Sequence, residues 1–340
     1  MIKSEDIFAK PPTIMTDSEL RSRFQRICLL TIAACYLVIL MGGIVRASGA
    51  GMGCPDWPKC FGRLIPPTSE SELPPDYHQI YAQRGYADTQ FNPMKTWTEY
   101  VNRLTGATTG ILVILTLIRS RHFRQTDRPV FMASATTLFV IGFQGWLGSA
   151  VVASNLKPYM ITAHMIMAFV LVFLLIYALA RSQRLDLEPL PTILLPPSFN
   201  TVLTVAIAMT AIQITMGTQI RQSIDPLIAQ ELGNRDSWRE SFPIIFYVHR
   251  SFSSVILLTN LWLAWKLIKG IAGNHLVKRL GKVLAGLIII AIVTGISLDR
   301  LGFPAFVQPL HLLLANLIFG TQAYLFLLMR QHREISGGSL

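Results

Sequence analysis

The chain has 340 residues, of which 51% are hydrophobic and only 14% charged, and its formal net charge is +11. Soluble domains carry about 25% charged residues, so composition argues against a water-soluble enzyme, a nucleic-acid-binding module and a disordered scaffold. The basic residues lie in short segments between apolar runs, not clustered on a soluble face, which assigns the charge to a membrane setting and leaves no nucleic-acid partner to expect.

In chain order, the first segment is polar, with Lys3, Lys10, Arg21, Arg23 and Arg26 set among Glu5, Asp6, Asp17 and Glu19. Those acids are unlike a transit peptide, and no cleavable signal pattern precedes Ile27. Charge-free stretches follow at 27–45, 104–118, 129–156, 158–180, 189–220, 251–265, 283–298 and 301–329. A helix crosses a bilayer core with ~20 mostly apolar residues. Several stretches reach that length. The second and sixth gain it past Arg103 and Arg250, where apolar and aromatic residues continue (Trp97, Tyr100 and 244–248), and 283–298 gains it through Gly281 and Lys282. The expectation is an all-α integral membrane protein with eight transmembrane helices.

Loop charge orients them. Eighteen Lys and Arg, among them Arg119, Arg121, Arg124, Arg128, Arg181, Arg184, Lys266, Lys269, Lys278, Arg279, Lys282, Arg330 and Arg333, fall on one side with 8 acids, against 10 and 11 on the other. The positive-inside rule then puts both termini in the cytoplasm of a bacterium, with a mitochondrial matrix as the second choice. The outer segment 47–97 is long for a mere connector. It carries Cys54 and Cys60 on the oxidising side, where Pro55 and Pro58 bend the chain enough for a disulfide. Such a bond could be a structural staple or a redox group. Cys28 and Cys35, seven apart on one face of the first span, read as small packing residues.

The chain repeats itself. Tyr100, Val101, Asn102 and Arg103 recur as Tyr247, Val248, His249 and Arg250 at an offset of 147, and Gly148, His164 and Arg119 recur at the same offset as Gly295, His311 and Lys266. Ile44, Val45 and Arg46 resemble Gln219, Ile220 and Arg221 at a longer offset, because the first outer loop is larger. Chance matches Leu and Ile readily but not Tyr, Arg, Gly and His at one spacing. The expected organisation is two tandem four-helix bundles, 27–184 and 185–330, flanked by cytoplasmic tails 1–26 and 331–340.

Ligand-capable side chains inside spans mark functional sites. His164, His249 and His311 fall near the outer ends of the fourth, sixth and eighth spans. Paired imidazoles across a helical bundle can clamp a haem iron, and Arg250 stands where propionates would reach the outer interface. The alternative is that each His is a satisfied polar residue between helices. Zinc lacks the close ligand spacing it needs. His78, His122, His275 and His332 read as solvated residues of loops and tail. Glu99 corresponds to Phe246 and Asn102 to His249, so the second half offers two imidazoles in an apolar setting, suited to electron transfer. The first half offers one imidazole, a carboxylate and an amide, leaving an open iron position for chemistry. Glu99 reads either as a general base or hydrogen-bond partner or as an ion pair with Arg103 one turn on.

The run RASGAGMGCPDWPKC over 46–60, with Gly62 and Ile65-Pro66-Pro67, resembles the first outer loop of the heme A synthases, and WTEYVNRLTG over 97–106 resembles their second helix. His164, His249-Arg250 and His311 fit the remaining ligand positions, and the resemblance covers roughly 25–330. It implies oxidation of a methyl group of heme O to the formyl group of heme A by successive hydroxylation and dehydration. It also implies substrate haem in the first half, a b-type haem held by His249 and His311, a functional Glu99, and a redox role for Cys54 and Cys60. Asn102 departs from the family, which has a substrate-haem His there, and leaves His164 as the sole protein ligand of the substrate iron. Expected partners are heme O, a heme O synthase, an electron donor the sequence does not name, the lipid bilayer and a second copy of the chain in a homo-oligomer. Two competing readings are a di-haem b-type electron carrier without chemistry and, more remotely, a transporter. A haem prenyltransferase lacks support, since no paired Asp-rich stretches for magnesium-diphosphate are present.

Overall fold

The computed structural model describes residues 16–184, 195–229, 242–272 and 275–335. Among the described residues the chain is helical, with eight helices long and apolar enough to cross a membrane. They are α1 (Asp17–Ala47), α2 (Pro93–Ser120), α3 (Arg128–Ala153), α4 (Pro158–Ser182), α5 (Phe199–Ala229), α6 (Ile244–Gly270), α7 (Leu276–Arg300) and α8 (Val307–Ile335). Lys3, Lys10, Glu5 and Asp6, the proposed division at 184/185 and the end of the tail lie at or beyond the edges of the described residues.

Four helices, α1, α2, α6 and α7, outrun their charge-free stretches at both ends, whereas α5 and α8 begin inside theirs. At 1.5 Å per residue a helix of 31 residues, the length of α1 and of α5, is ~46 Å long, well beyond the ~30 Å hydrocarbon core. Much of the expected 1–26 tail is therefore helix from Asp17 on, and Arg21, Arg23 and Arg26 ride on it. The shortest expected span becomes α7 by taking Lys278, Arg279 and Lys282 into its first turns, where long basic side chains reach the interface. Start signals are local. Thr16 and Glu19 form a capping box on α1, each side chain accepting from the other's backbone N–H. Asn92 caps α2 by accepting from Lys95 N at 3.1 Å ahead of Pro93, so the outer connection ends there, short of residue 97.

In each quartet the helices touch in sequence order and the fourth returns to the first: α1 to α2, α3 and α4, and α5 to α6, α7 and α8. α8 also packs on α1 and α4. A Cβ on Gly43 would stand 2.9 Å from Pro309 Cβ, so the absence of a side chain there permits the α1–α8 approach. Tyr324 donates to Gln183 at 2.6 Å, and Gln322 donates to Asn260 at 2.7 Å inside the second quartet. Leu30, Leu37, Ile111, Phe139, Leu258 and Val293 face outward, as helices solvated by lipid require.

The segment between α1 and α2 builds a small core of its own from Cys54, Cys60, Phe61, Leu73, Tyr77 and Tyr86. Phe61 adopts a left-handed backbone, φ 54°, and its ring meets Tyr77, Tyr81, Tyr86 and Phe91 edge-on at 5.2–6.4 Å. Tyr86 donates to Met52 O at 2.8 Å, and Arg84 donates to Ala153 O at the end of α3. On the surface, the Thr68 hydroxyl and N–H, with Arg63, hold the Glu72 carboxyl down to about 2. Phe61→Ala is expected to cost ~3–5 kcal/mol of this unit's stability. The check is hydrogen exchange of amides 62–91, which should lose protection while those of α3 and α4 keep theirs.

Candidate functional site

Arg103 lies on α2 one turn after Glu99, and both are sequestered from solvent. A guanidinium has five N–H donors, and the structure gives each an acceptor. Nε donates to Glu99 Oε1 at 3.1 Å, and Nη2 donates to the same oxygen and to Cys54 O at 2.9 Å. Nη1 donates to Asp56 O at 2.6 Å and Lys59 O at 3.0 Å. The other Glu99 oxygen accepts from Cys54 N at 2.9 Å. The α2 pair thus grips the backbone of 54–59, where Cys54 and Cys60 form a disulfide and are almost wholly buried. Thr96 adds a hydroxyl bond to Gly53 O at 2.8 Å. Any Cβ on Gly53 would collide with the Lys95 carbonyl, so glycine is what lets the loop lie on the helix. Asp56 closes the turn by accepting from Phe61 N at 2.6 Å and Gly62 N at 2.8 Å. The expected Glu99–Arg103 ion pair and the expected disulfide are both present, in one assembly.

Asn102, His164, His249 and His311 sit in about the first three turns of α2, α4, α6 and α8, each near the N-terminal end of its helix. Each faces a glycine on the preceding helix. A Cβ would lie 4.0 Å from Asn102 Oδ1 at Gly42, 3.3 Å from His164 Cε1 at Gly148, 3.4 Å from His249 Cε1 at Gly217, and 3.3 Å from His311 Cε1 at Gly295. Gly42 and Gly217 share the longer offset already seen for Arg46 and Arg221, so the repeat extends to the contact partners of all four positions. Asn102 thus occupies the position of the first half that corresponds to His249, beside the equivalent glycine. Its Oδ1 is buried with no hydrogen-bond partner, as are Nδ1 of His164 and Nδ1 of His249. His311 Nδ1 instead lies 2.9 Å from the Thr294 hydroxyl. His249 and His311 are close enough to interact electrostatically, and no three His, Cys, Asp or Glu among the described residues gather as a metal cluster. With His249 and His311 near each other and a glycine beside each ring, these are residues of the chemical type that would hold a haem iron.

Arg250 is exposed at the outer rim, with Nη1 3.8 Å from Asp299 and its guanidinium 5.7 Å from the Tyr247 ring. A cavity of about 650 Å³ opens between the disulfide loop and the end of α3, lined by Asp56, Trp57, Tyr81, Arg84, Ser149 and Val152 among others. Cys28 and Cys35 are buried free thiols of α1, consistent with packing. One of the four remaining histidines contradicts the solvated reading by its burial. His332 is buried on α8, which continues past the last charge-free residue, and its ring lies 5.8 Å from that of His275. His275 caps α7 by accepting from Val277 N. Sequence reasoning also missed Gln144 and Gln213. Gln144 Nε2 donates to His164 O at 3.0 Å, and Gln213 Nε2 donates to His249 O at 2.9 Å. The available signal was a glutamine four residues before a glycine, at 144/148 and 213/217.

Proteins named heme A synthase align with part of the chain. That of Shewanella oneidensis is 34% identical over 158 residues, covering 46% of this chain and 45% of the relative. That of Shouchella clausii is 30% identical over 142 residues (41% and 39%), and that of Bartonella bacilliformis 25% identical over 171 residues (46% and 48%). The aligned part thus spans about half the length of these relatives or less. A broader match runs through both quartets: the cytochrome oxidase assembly protein family, COX15-CtaA, covers residues 25–323. With its eight long apolar helices, the disulfide loop clamped to α2 and the four glycine-flanked residues Asn102, His164, His249 and His311 inside that range, the chain belongs to the cytochrome oxidase assembly protein family.

Proposed function

We propose that the protein is a heme A synthase, oxidising a methyl group of heme O to the formyl group of heme A by successive hydroxylations. The observation that carries this reading is the fourfold placement of Asn102, His164, His249 and His311, each beside a glycine of the preceding helix. The names of the aligned relatives give it a direction. The two quartets act as tandem four-helix bundles that divide the work. In the second, His249 and His311 hold a b-type haem, which supplies electron transfer when bound, and Arg250 stands at the rim for its propionates. In the first, His164 holds the substrate. Asn102 is a poor iron ligand, so the opposite side of the substrate stays open.

Glu99 acts next to the substrate as a hydrogen-bond acceptor or base, with Arg103 fixing its carboxylate. The burial of both sulfurs favours a staple role for Cys54–Cys60 over thiol exchange with a partner. The basic ends of α1, α2, α3 and α4 share one side, which supports a bacterial inner membrane with cytoplasmic termini. Heme O reaches the site from a heme O synthase, and an electron donor completes the reaction.

The test is co-expression with a heme O synthase in a host lacking heme A, followed by haem extraction and chromatography. Heme A or its hydroxylated precursor is expected. A well-folded preparation holding only heme B, with heme O available, would instead favour the di-haem electron carrier, the reading that Asn102 supports.

A further inference from the structure

We propose that the cavity between the disulfide loop and the end of α3 receives the carboxylate edge of the substrate porphyrin, and that Arg84 pairs with a propionate there. The inference rests on the heme A synthase reading above and adds to it the residue that recognises the acidic edge of the substrate.

The two halves differ in the cation they can offer. At the offset of 147, Arg103 corresponds to Arg250. Arg250 is exposed, with Asp299 at 3.8 Å. Arg103 has no donor left, because its five N–H groups are taken by Glu99 and by the carbonyls of Cys54, Asp56 and Lys59. An anionic edge bound in the first quartet therefore needs a cation from another part of the chain.

Arg84 supplies one. It comes from the connection between α1 and α2 and lines the cavity of about 650 Å³ together with Trp57, Tyr81, Ser149 and Val152, a volume within the range of small-molecule sites. Its bonds to the described residues are all made by Nη1, to Ala153 O at 2.5 Å, Asn155 Oδ1 at 3.4 Å and Val152 O at 3.5 Å. The guanidinium is thus anchored on the end of α3 by one nitrogen, and Nε and Nη2 remain as a fork that a carboxylate matches bidentately. Asp56, the other charged residue of the lining, is committed to its own loop, its two oxygens accepting from Phe61 N and Gly62 N. Trp57 and Tyr81 add aromatic surface for the ring that carries the propionates.

Position links the cavity to the substrate. Val152 follows Gly148 by four residues, so it lies on the same face of α3 one turn, ~6 Å, further on. Gly148 is the glycine beside His164. An iron held by His164 and a propionate held by Arg84 are therefore served from successive turns of one helix face.

The protein with its b-type haem loaded is titrated with heme O and with heme O dimethyl ester, in wild-type and Arg84→Gln forms. Wild type is expected to prefer the free acid. The Gln form is expected to bind the acid roughly 10- to 100-fold more weakly, and the ester as wild type does. Arg84→Lys keeps the charge without the fork and should fall between. An equal loss for acid and ester would show that Arg84 only ties the connection to α3, and unchanged affinity for both would show that no carboxylate reaches it. Either result overturns the proposal. The heme A synthase reading fails separately, if wild-type protein that binds heme O makes neither heme A nor its hydroxylated precursor.

Discussion

An Arg103→Ala protein is expected to lose the protection of its outer disulfide, with reduction by a mild water-soluble thiol accelerated roughly 10²- to 10³-fold. In the wild-type protein Cys54 is fully buried and Cys60 is 1% exposed, so a reductant must wait for the 54–60 loop to lift from α2. Lifting it breaks three bonds from the guanidinium to loop carbonyls and the bond from Cys54 N to Glu99. Removing the guanidinium abolishes the first three in advance and strands a nearly buried carboxylate without its counter-charge. Breaking one side of a buried ion pair costs ~3–5 kcal/mol, and each 1.36 kcal/mol is a factor of ten in rate. Arg103→Lys should recover little, since an ammonium has three donors and cannot span the acceptors the planar fork reaches. Glu99→Gln keeps the shape and removes the charge, and should leave the loop seated far better than Arg103→Ala does. Equal reduction rates in wild-type and Arg103→Ala protein would show that the loop is held by its own aromatic core around Phe61 and not by the α2 pair.

The contrast between Arg103 and the histidines shows what a sequence can and cannot disclose. Spans are legible because a charge in hydrocarbon is costly, so the gaps between Lys, Arg, Asp and Glu trace the bilayer directly. The four glycine-flanked positions are legible because duplication wrote them twice, and Asn102 stands out against its partner His249. Arg103 could be paired with Glu99 from helical spacing alone, but its other acceptors are backbone carbonyls of a distant loop, which carry no residue signature. Gln144 and Gln213 show in the sequence only as a glutamine four residues before a glycine, since a side-chain bond to a carbonyl on the next helix has no fixed spacing until the register is known. His332 was misread because the last charge-free residue is not the end of a helix. α8 runs on to Ile335, and His332 on it packs against the His275 cap of α7 instead of entering solvent.

The second large effect is a separation of phenotypes between the quartets. His249→Ala and His311→Ala are each expected to remove the low-spin haem spectrum, because on the proposed function the two imidazoles would act on one iron and either alone would leave it half-ligated. Altering only a hydrogen-bond partner of such a ligand costs roughly 10–100-fold in affinity, so deleting the ligand itself should exceed that. His164→Ala should retain the spectrum and lose heme A production to below roughly a hundredth of wild type, since no other imidazole in the first quartet can replace it. Asn102→His gives the decisive contrast. Gly42 leaves space beside position 102, with 4.0 Å between a Cβ there and Asn102 Oδ1, as Gly217 does beside His249. An imidazole at 102 should therefore be accommodated and would saturate the substrate iron, strengthening substrate binding while slowing turnover. Normal heme A production by His164→Ala would sink the single-ligand arrangement. Faster turnover in Asn102→His would show that the amide is a deficit of this chain and not the means by which it keeps a position open.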